Sequence, residues 1–247
     1  MATALFRPLL NRFINTGFGP RPGILSPSSK PPDPGKPPKH GLEPELIAKV
    51  EESIVKVSGV ACDLRQNGTG VVVGAGLIIT NAHVVAGESR TSVENLSGRE
   101  FVAKVVAFDP LKDVAILRVD GLVADRLALG DAKVGALAGV FGFPGGGVLE
   151  VSPARIGETI RAIGTDIYGD TKSSRSVVVL GARLEPGDSG SAVVDEEGHL
   201  VAVAFAIDPG SNTIAYALAR EEIEAAIDAA TNANSSSVDA GDCIEYK

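Results

Sequence analysis

With only three histidines among 247 residues, the candidates for acid–base chemistry can be sorted by elimination. His40 sits in SSKPPDPGKPPKHG, a proline-rich stretch where solvation accounts for it. His199 sits in DEEGHLV, a hairpin signal in which a polar residue needs no further role. His83 differs, because LIITNAHVVAG places it at the end of an apolar strand. A buried imidazole costs free energy unless it is hydrogen-bonded. A backbone carbonyl would satisfy it as well as a catalytic partner, so His83 alone decides nothing.

Ser189 lies in LEPGDSGSAVV, where flanking glycines allow a sharp turn that brings backbone N–H groups near a substrate oxygen. Taken alone, a glycine-rich turn explains it equally well. Asp113, in DPLKDVAILRV, stands at a strand start, a common place for aspartate. The three together say more than any one. A hydroxyl nucleophile needs a base, and the base needs a carboxylate to orient it. The chain supplies His83, Asp113 and Ser189 in that order, the first two in one β-rich half and the third in the other.

The elements that must position them are strands. β-branched runs punctuated by glycine cover 54–61, 70–80, 100–108 and 113–119, and a second series covers 135–143, 148–156, 176–184, 191–207 and 213–219. Short strands at such spacing predict an all-β sandwich or barrel rather than a βαβ array. The gap near 120–135 divides them into two units of similar size, with no internal repeat evident. A short amphipathic helix carrying Leu46, Ile47 and Val50 precedes them, and REEIEAAIDAA (220–230) predicts a closing helix. TNANSSSVDAGDCIEYK then reads as a polar tail.

Nine of the 15 prolines fall between Pro20 and Pro44, and residues 1–40 carry six Lys/Arg against Asp33 alone. With a net charge of -8 overall, an acidic domain therefore follows a basic tail, and residues 1–42 read as a polyproline-type spacer that packs no core. MATALFRPLLNRFINTGF makes no signal peptide, since Arg7, Pro8, Asn11 and Arg12 break its apolar run. A spacer separates two things, which favours a membrane anchor ahead of it. The negative charge and 4% aromatic content argue against nucleic-acid binding, and no run of about 20 apolar residues spans a bilayer. Gly68, Gly70 and Gly74 precede no helix, FGFPGGG lacks the P-loop lysine, and three scattered histidines with two distant cysteines offer no zinc spacing. No metal or cofactor is expected.

TNAHVV, DVAIL and GDSG, in this order across two β units, resemble the trypsin-like, chymotrypsin-fold serine proteases. GTGVVVGAGLIITNAHVVAG, FGFPGGG, SPARI and DIYGD resemble in particular the actinobacterial membrane-anchored periplasmic proteases of the mycobacterial acid-resistance type, over about residues 50–243. The resemblance implies two six-stranded antiparallel barrels, the first over about 54–125 and the second over about 134–219, within a protease domain of residues 43–247. It implies Ser189 as nucleophile, His83 as base and then acid, and Asp113 rather than Asp109 as the carboxylate. The N–H groups of Gly187 and Ser189 would form the oxyanion hole, and Ala204–Phe205–Ala206 would align substrate by edge pairing.

Two residue sets compete for the pocket that takes the side chain before the scissile bond. Arg183, six before the nucleophile, would select acidic side chains if buried; Ala204, Ala206 and Ala217 would make a small-walled apolar pocket, the reading favoured here. Cys62 and Cys243 could be free thiols, but the resemblance implies a disulfide, and a structural disulfide implies an extracytoplasmic location. The expected partner is a protein or peptide substrate of the cell envelope, met in acid or oxidative stress, and the expected domain is monomeric. Where the family commonly has a second glycine after GDSG, this chain has Ser191, a departure tolerable at negative φ. A silent peptide-binding module on the same fold is the rival reading, set against the intact His83, Asp113 and Ser189.

Overall fold

The computed structural model describes residues 32–208, 210–232 and 236–244. Most of the proline-rich basic tail and the last three residues lie outside them.

Helix α1 (Pro44–Glu51) opens with proline at its first turn, where the missing N–H goes unneeded, and buries Val50. Six strands follow: β1 (Ile54–Ala61), β2 (Leu64–Gly74), β3 (Leu77–Thr80), β4 (Thr91–Glu94), β5 (Glu100–Asp109) and β6 (Val114–Val119). They close as β1-β2-β3-β6-β5-β4. Six more make the second barrel: β7 (Leu137–Gly142), β8 (Glu150–Thr165), β9 (Lys172–Gly181), β10 (Ala192–Asp195), β11 (Leu200–Ile207) and β12 (Ile214–Ala219). They close as β7-β8-β9-β12-β11-β10, the same connectivity six strands later. Between β3 and β4 lies a one-turn helix, α2 (Ala82–Val85), and α3 (Arg220–Asn232) follows β12. The fold class is the expected one.

Closure buries the inward-facing residues. Val55, Val57, Val72, Ile78, Ala115 and Leu117 fill the first barrel, and Val140, Ile156, Val178, Leu180, Val193 and Val201 fill the second. A third cluster containing Ile54, Val71, Phe141, Val177, Phe205 and Ile223 draws on both barrels and α3, so the two units share an apolar seam. Each fully buried Val, Leu or Ile contributes roughly 1.5–3 kcal/mol.

The elements depart from the sequence expectation in several places. The run 70–80 is two strands, reversed at Ala75–Gly76 with Gly76 at φ 64°. β2 begins at Leu64 in polar residues that carry no hydrophobic signal, and β8 continues to Thr165 as a long hairpin with β9. Residues 191–207 split into β10 and β11 around His199. The polyproline segment does pack from residue 32 onward. Pro34 is buried, a Cβ on Gly157 or Gly181 would run into Pro34 and Gly35, and Leu42 joins the shared apolar cluster.

Cys62 and Asp63 form the two-residue turn between β1 and β2, both with positive φ (48° and 60°). Positive φ at both central positions is the requirement of a type I′ hairpin, here met without glycine. Cys62 is bonded to Cys243, and free cysteines are absent. The bridge brings the tail segment 236–244 onto the first barrel, where Val238 donates to the Val105 carbonyl.

Candidate active site

His83 stands on α2 rather than in the strand, one turn past Thr80. Asn81, at its N-cap, does not cap the turn: its Nδ2 donates to the Asp113 carbonyl instead. That contact holds the loop entering β6, where Asp113 adopts φ 59°, left-handed backbone that aspartate tolerates better than most residues.

The Asp113 carboxylate is fully buried. Oδ1 accepts the His83 backbone N–H at 3.0 Å, and His83 Nδ1 lies 2.9 Å from Oδ1 and 2.8 Å from Oδ2. With Nδ1 carrying the proton toward a carboxylate, Nε2 is left as the acceptor. Its partner is the Ser189 hydroxyl at 2.6 Å, across the seam between the barrels. Ser189 is buried while the imidazole keeps a partly open edge, so a reacting group can approach from solvent. The three residues singled out in the sequence are in one hydrogen-bonded line.

Around Ser189 nearly every peptide group is held. Gly145 N–H donates to the Pro186 carbonyl, Asp188 N–H to Glu185, Ser191 N–H to Asp188, and Gly190 N–H to Ala204. Gly187 sits at φ 102°, where a Cβ would strike the Phe143 carbonyl. Among the described residues the N–H groups of Gly187 and Ser189 donate to nothing. Ser191 has no positive φ, so serine fits where glycine was expected. Its Oγ is buried without a hydrogen-bond partner among the described residues.

Asp188 lies between these groups. Burial pushes its carboxyl up to about 6, against the pull of the Glu185 N–H, while the negative charges of Glu185 and Glu150 raise it further.

The remaining expected residues fall in two groups. Ala204 and Ala217 are fully buried and paired across β11 and β12, with Phe205 buried between Ala204 and Ala206 at a bulge. Arg183 is exposed, so it places no buried cation near Ser189. Pairing of β11 with β10 stops at Val203, and Ala204 gives its N–H to Ser191 and its carbonyl to Gly190. The open edge of β11 is therefore Phe205–Ile207, one residue further on than the Ala204–Ala206 of the sequence reading.

Sequence reasoning missed Arg175 and Thr69. Arg175 on β9 is 1% exposed, with Nη2 donating to the Leu111 and Thr165 carbonyls and its guanidinium over the Phe205 ring. It sits in SSRSVVV, which carries no local signal for such a role. Asp195, Glu197 and His199 come close enough to share an ion, but they form the β10–β11 hairpin turn, with Lys133 already on Glu197.

The trypsin-like peptidase domain family matches residues 68–203. The chain belongs to the trypsin-like peptidases. Serine protease Rv3671c of Mycobacterium tuberculosis is 39% identical over 203 residues, covering 79% of this chain and 50% of that protein. The crystal structure of its protease in the active form superposes with a TM-score of 0.79 at 34% identity, covering 90% of this chain and all of that one. The periplasmic serine endoprotease DegP of Salmonella typhimurium is 32% identical over 164 residues, which cover 61% of this chain and 33% of DegP. The chain thus spans between a third and a half of these relatives. Within the trypsin-like peptidases it is of the serine protease kind. Among the described residues no helix is long and apolar enough to cross a membrane.

Proposed function

We propose that the domain is a serine endopeptidase that cleaves through an acyl-enzyme on Ser189. One observation carries the reading: His83 Nε2 lies 2.6 Å from Ser189 Oγ while its Nδ1 lies 2.8 Å from the buried Asp113 carboxylate. Ser189 Oγ attacks the peptide carbonyl carbon as His83 Nε2 takes the hydroxyl proton. The carbonyl oxygen becomes an oxyanion held by the N–H groups of Gly187 and Ser189. Collapse expels the amine, which receives the proton from His83, and water activated by the same ring then hydrolyses the acyl-enzyme. Asp113 holds the tautomer and stabilises the imidazolium. No step calls on a metal or cofactor.

The substrate is an extended protein segment that adds to the open edge at Phe205–Ile207, with main-chain hydrogen bonds supplying affinity. Its side chain before the scissile bond is apolar: Arg183 faces solvent and brings no buried cation, and of the three alanines Ala206 keeps exposed surface beside the edge while Ala204 and Ala217 lie in the barrel core. The disulfide and the periplasmic placement in DegP's name support a periplasmic or cell-envelope site of action. By the same resemblance the domain works as a monomer, tethered to the membrane in the full protein, on envelope or secreted proteins during acid or oxidative stress.

Intact-mass spectrometry after a fluorophosphonate probe tests the reading. One adduct on the wild type and none on Ser189→Ala is the expected result. A folded wild type that takes no adduct, or an adduct that survives in Ser189→Ala, sinks it.

A further inference from the structure

Thr69 lies on β2 of the first barrel, yet its hydrogen bonds go to the nucleophile loop of the second. β3 pairs with β2 only from Val71 onward, so the edge at Thr69 is free to meet another chain segment. Its N–H donates to the Ser189 carbonyl at 2.8 Å. Its Oγ1 donates to the Gly187 carbonyl at 3.0 Å and accepts the Phe143 N–H at 3.0 Å. Its own carbonyl accepts the Thr80 hydroxyl at 2.7 Å, which ties it to the strand that leads into α2 and His83. The residue is fully buried.

We propose that the Thr69 hydroxyl is a positioning group for the oxyanion hole. This rests on the serine protease reading. Gly187, at φ 102°, lacks the Cβ that would restrict its backbone, so sterics alone do not choose the direction of the peptide groups beside it. Hydrogen bonds to their carbonyls choose instead. In a trans peptide the C=O and N–H point opposite ways. Gly145 holds the Pro186 carbonyl, which turns the Gly187 N–H outward. Thr69 Oγ1 holds the Gly187 carbonyl, the next peptide along, and thereby prevents the glycine from rotating that donor away. The same hydroxyl accepts Phe143 N–H, so it also fixes the segment from which Gly145 reaches Pro186. One buried oxygen thus controls both neighbours of the donor, while the Thr69 N–H controls the carbonyl of Ser189 itself. Thr69 touches no reacting atom and acts through the peptide groups around Gly187 and Ser189.

The test compares the wild type with Thr69→Val, which keeps the shape and loses the hydroxyl, and Thr69→Ser, which keeps the hydroxyl. Fluorophosphonate labelling rates and kcat and KM on an activated ester are measured beside thermal midpoints. Thr69→Val should lose roughly 10- to 100-fold in labelling rate and kcat with KM within about twofold, somewhat less than outright removal of a hole donor. Thr69→Ser should stay within about threefold of wild type, on the same principle. If Thr69→Val does not fold, Thr69→Ala, which leaves a void rather than a misplaced methyl, carries the same comparison with Ser. A Val or Ala variant with wild-type kcat and only a lowered midpoint overturns the proposal, since that is the behaviour of a packing residue. So does a Ser variant as slow as Val. A wild type that neither labels nor turns over removes the protease reading itself, and this inference with it.

Discussion

Arg175 holds the carbonyl of Leu111 at 2.8 Å, two residues before Asp113. Ser173 Oγ donates to the same oxygen, and Lys112 Nζ reaches the Ser174 carbonyl and Glu222 on α3. The loop carrying the buried carboxylate is therefore clamped by the opposite barrel. Burial opposes the guanidinium's charge, and nearby carboxylates, Asp113 first, support it. Replacing Arg175 by Met should cost about 2–3 kcal/mol, because the Thr165 carbonyl is left unpaired and the Asp113 loop loses its anchor. Chemical denaturation checks the stability. The labelling rate should fall as well, and an unchanged rate would mean that Ser173 and Lys112 hold the loop without Arg175.

The disulfide closes a loop of 181 positions, and Cys243 presses on Gly87, four residues past His83, where a Cβ would collide with it. Gly87 N–H donates to the Ala240 carbonyl, so the tail is also the hydrogen-bonding partner of the segment after α2. Chain entropy puts the stabilisation at about 5 kcal/mol as an upper value. Thermal unfolding with and without reductant should show a midpoint lowered by on the order of 10 °C. A Cys62→Ser, Cys243→Ser variant should match the reduced protein and ignore reductant. Equal midpoints with both thiols shown to be free would contradict this.

Glu88 is a partly buried carboxylate that the proposed chemistry does not use. Burial pushes it up to about 7, in spite of the Thr91 hydroxyl at 2.6 Å. A carboxyl raised in the folded state holds its proton where the unfolded chain, titrating near 4.5, has lost it. Stability from this group therefore rises as pH falls from about 7 to about 4.5, the reverse of an ion-paired carboxylate. Glu88→Gln should be more stable than wild type at pH 7.5 by about 2 kcal/mol and lose that advantage by about pH 4, below the unfolded value. Denaturation at both pH values decides it; an advantage constant with pH would mean the carboxyl does not titrate there.

What the sequence displayed well was whatever depends on residue type. TNAHVV, DVAIL and GDSG carry groups that few other roles require, and β-branched runs announced most strands. What it hid depends on partners far along the chain. Thr69 meets Gly187 at a separation of 118 residues, and Arg175 meets Leu111 at 64, with nothing in GTG or SSRS to mark either. The shared connectivity of the two barrels left no visible repeat, because barrel closure asks only for inward apolar side chains, and many sequences supply them. The start of β2 in LRQNGT was hidden for another reason, since it is held by pairing with β1 rather than by its own hydrophobicity. Pro34 and Leu42 sat in a composition typical of spacers, yet the small surfaces of Gly157, Gly181 and Gly139 give them somewhere to pack.

Gly187 gives the sharpest contrast with its neighbour Ser191. At φ 102° any side chain is strained, and a Cβ there meets the Phe143 carbonyl and the Gly145 N–H. Gly187→Ala must then move the peptide that presents the donor. Ser191 Oγ, by contrast, holds no hydrogen bond among the described residues and its backbone is unstrained. Gly187→Ala should slow acylation by about 10²–10³, the loss seen when one hole donor is removed. Ser191→Gly, made in parallel, should keep the wild-type rate to within about twofold, since no donor moves. Stopped-time fluorophosphonate labelling of both variants, with circular dichroism to confirm folding, separates them. If the alanine variant labels at the wild-type rate, the Gly187 N–H is not a donor to the oxyanion; if Ser191→Gly is the slow one, the departure from a second glycine matters in a way its geometry does not indicate.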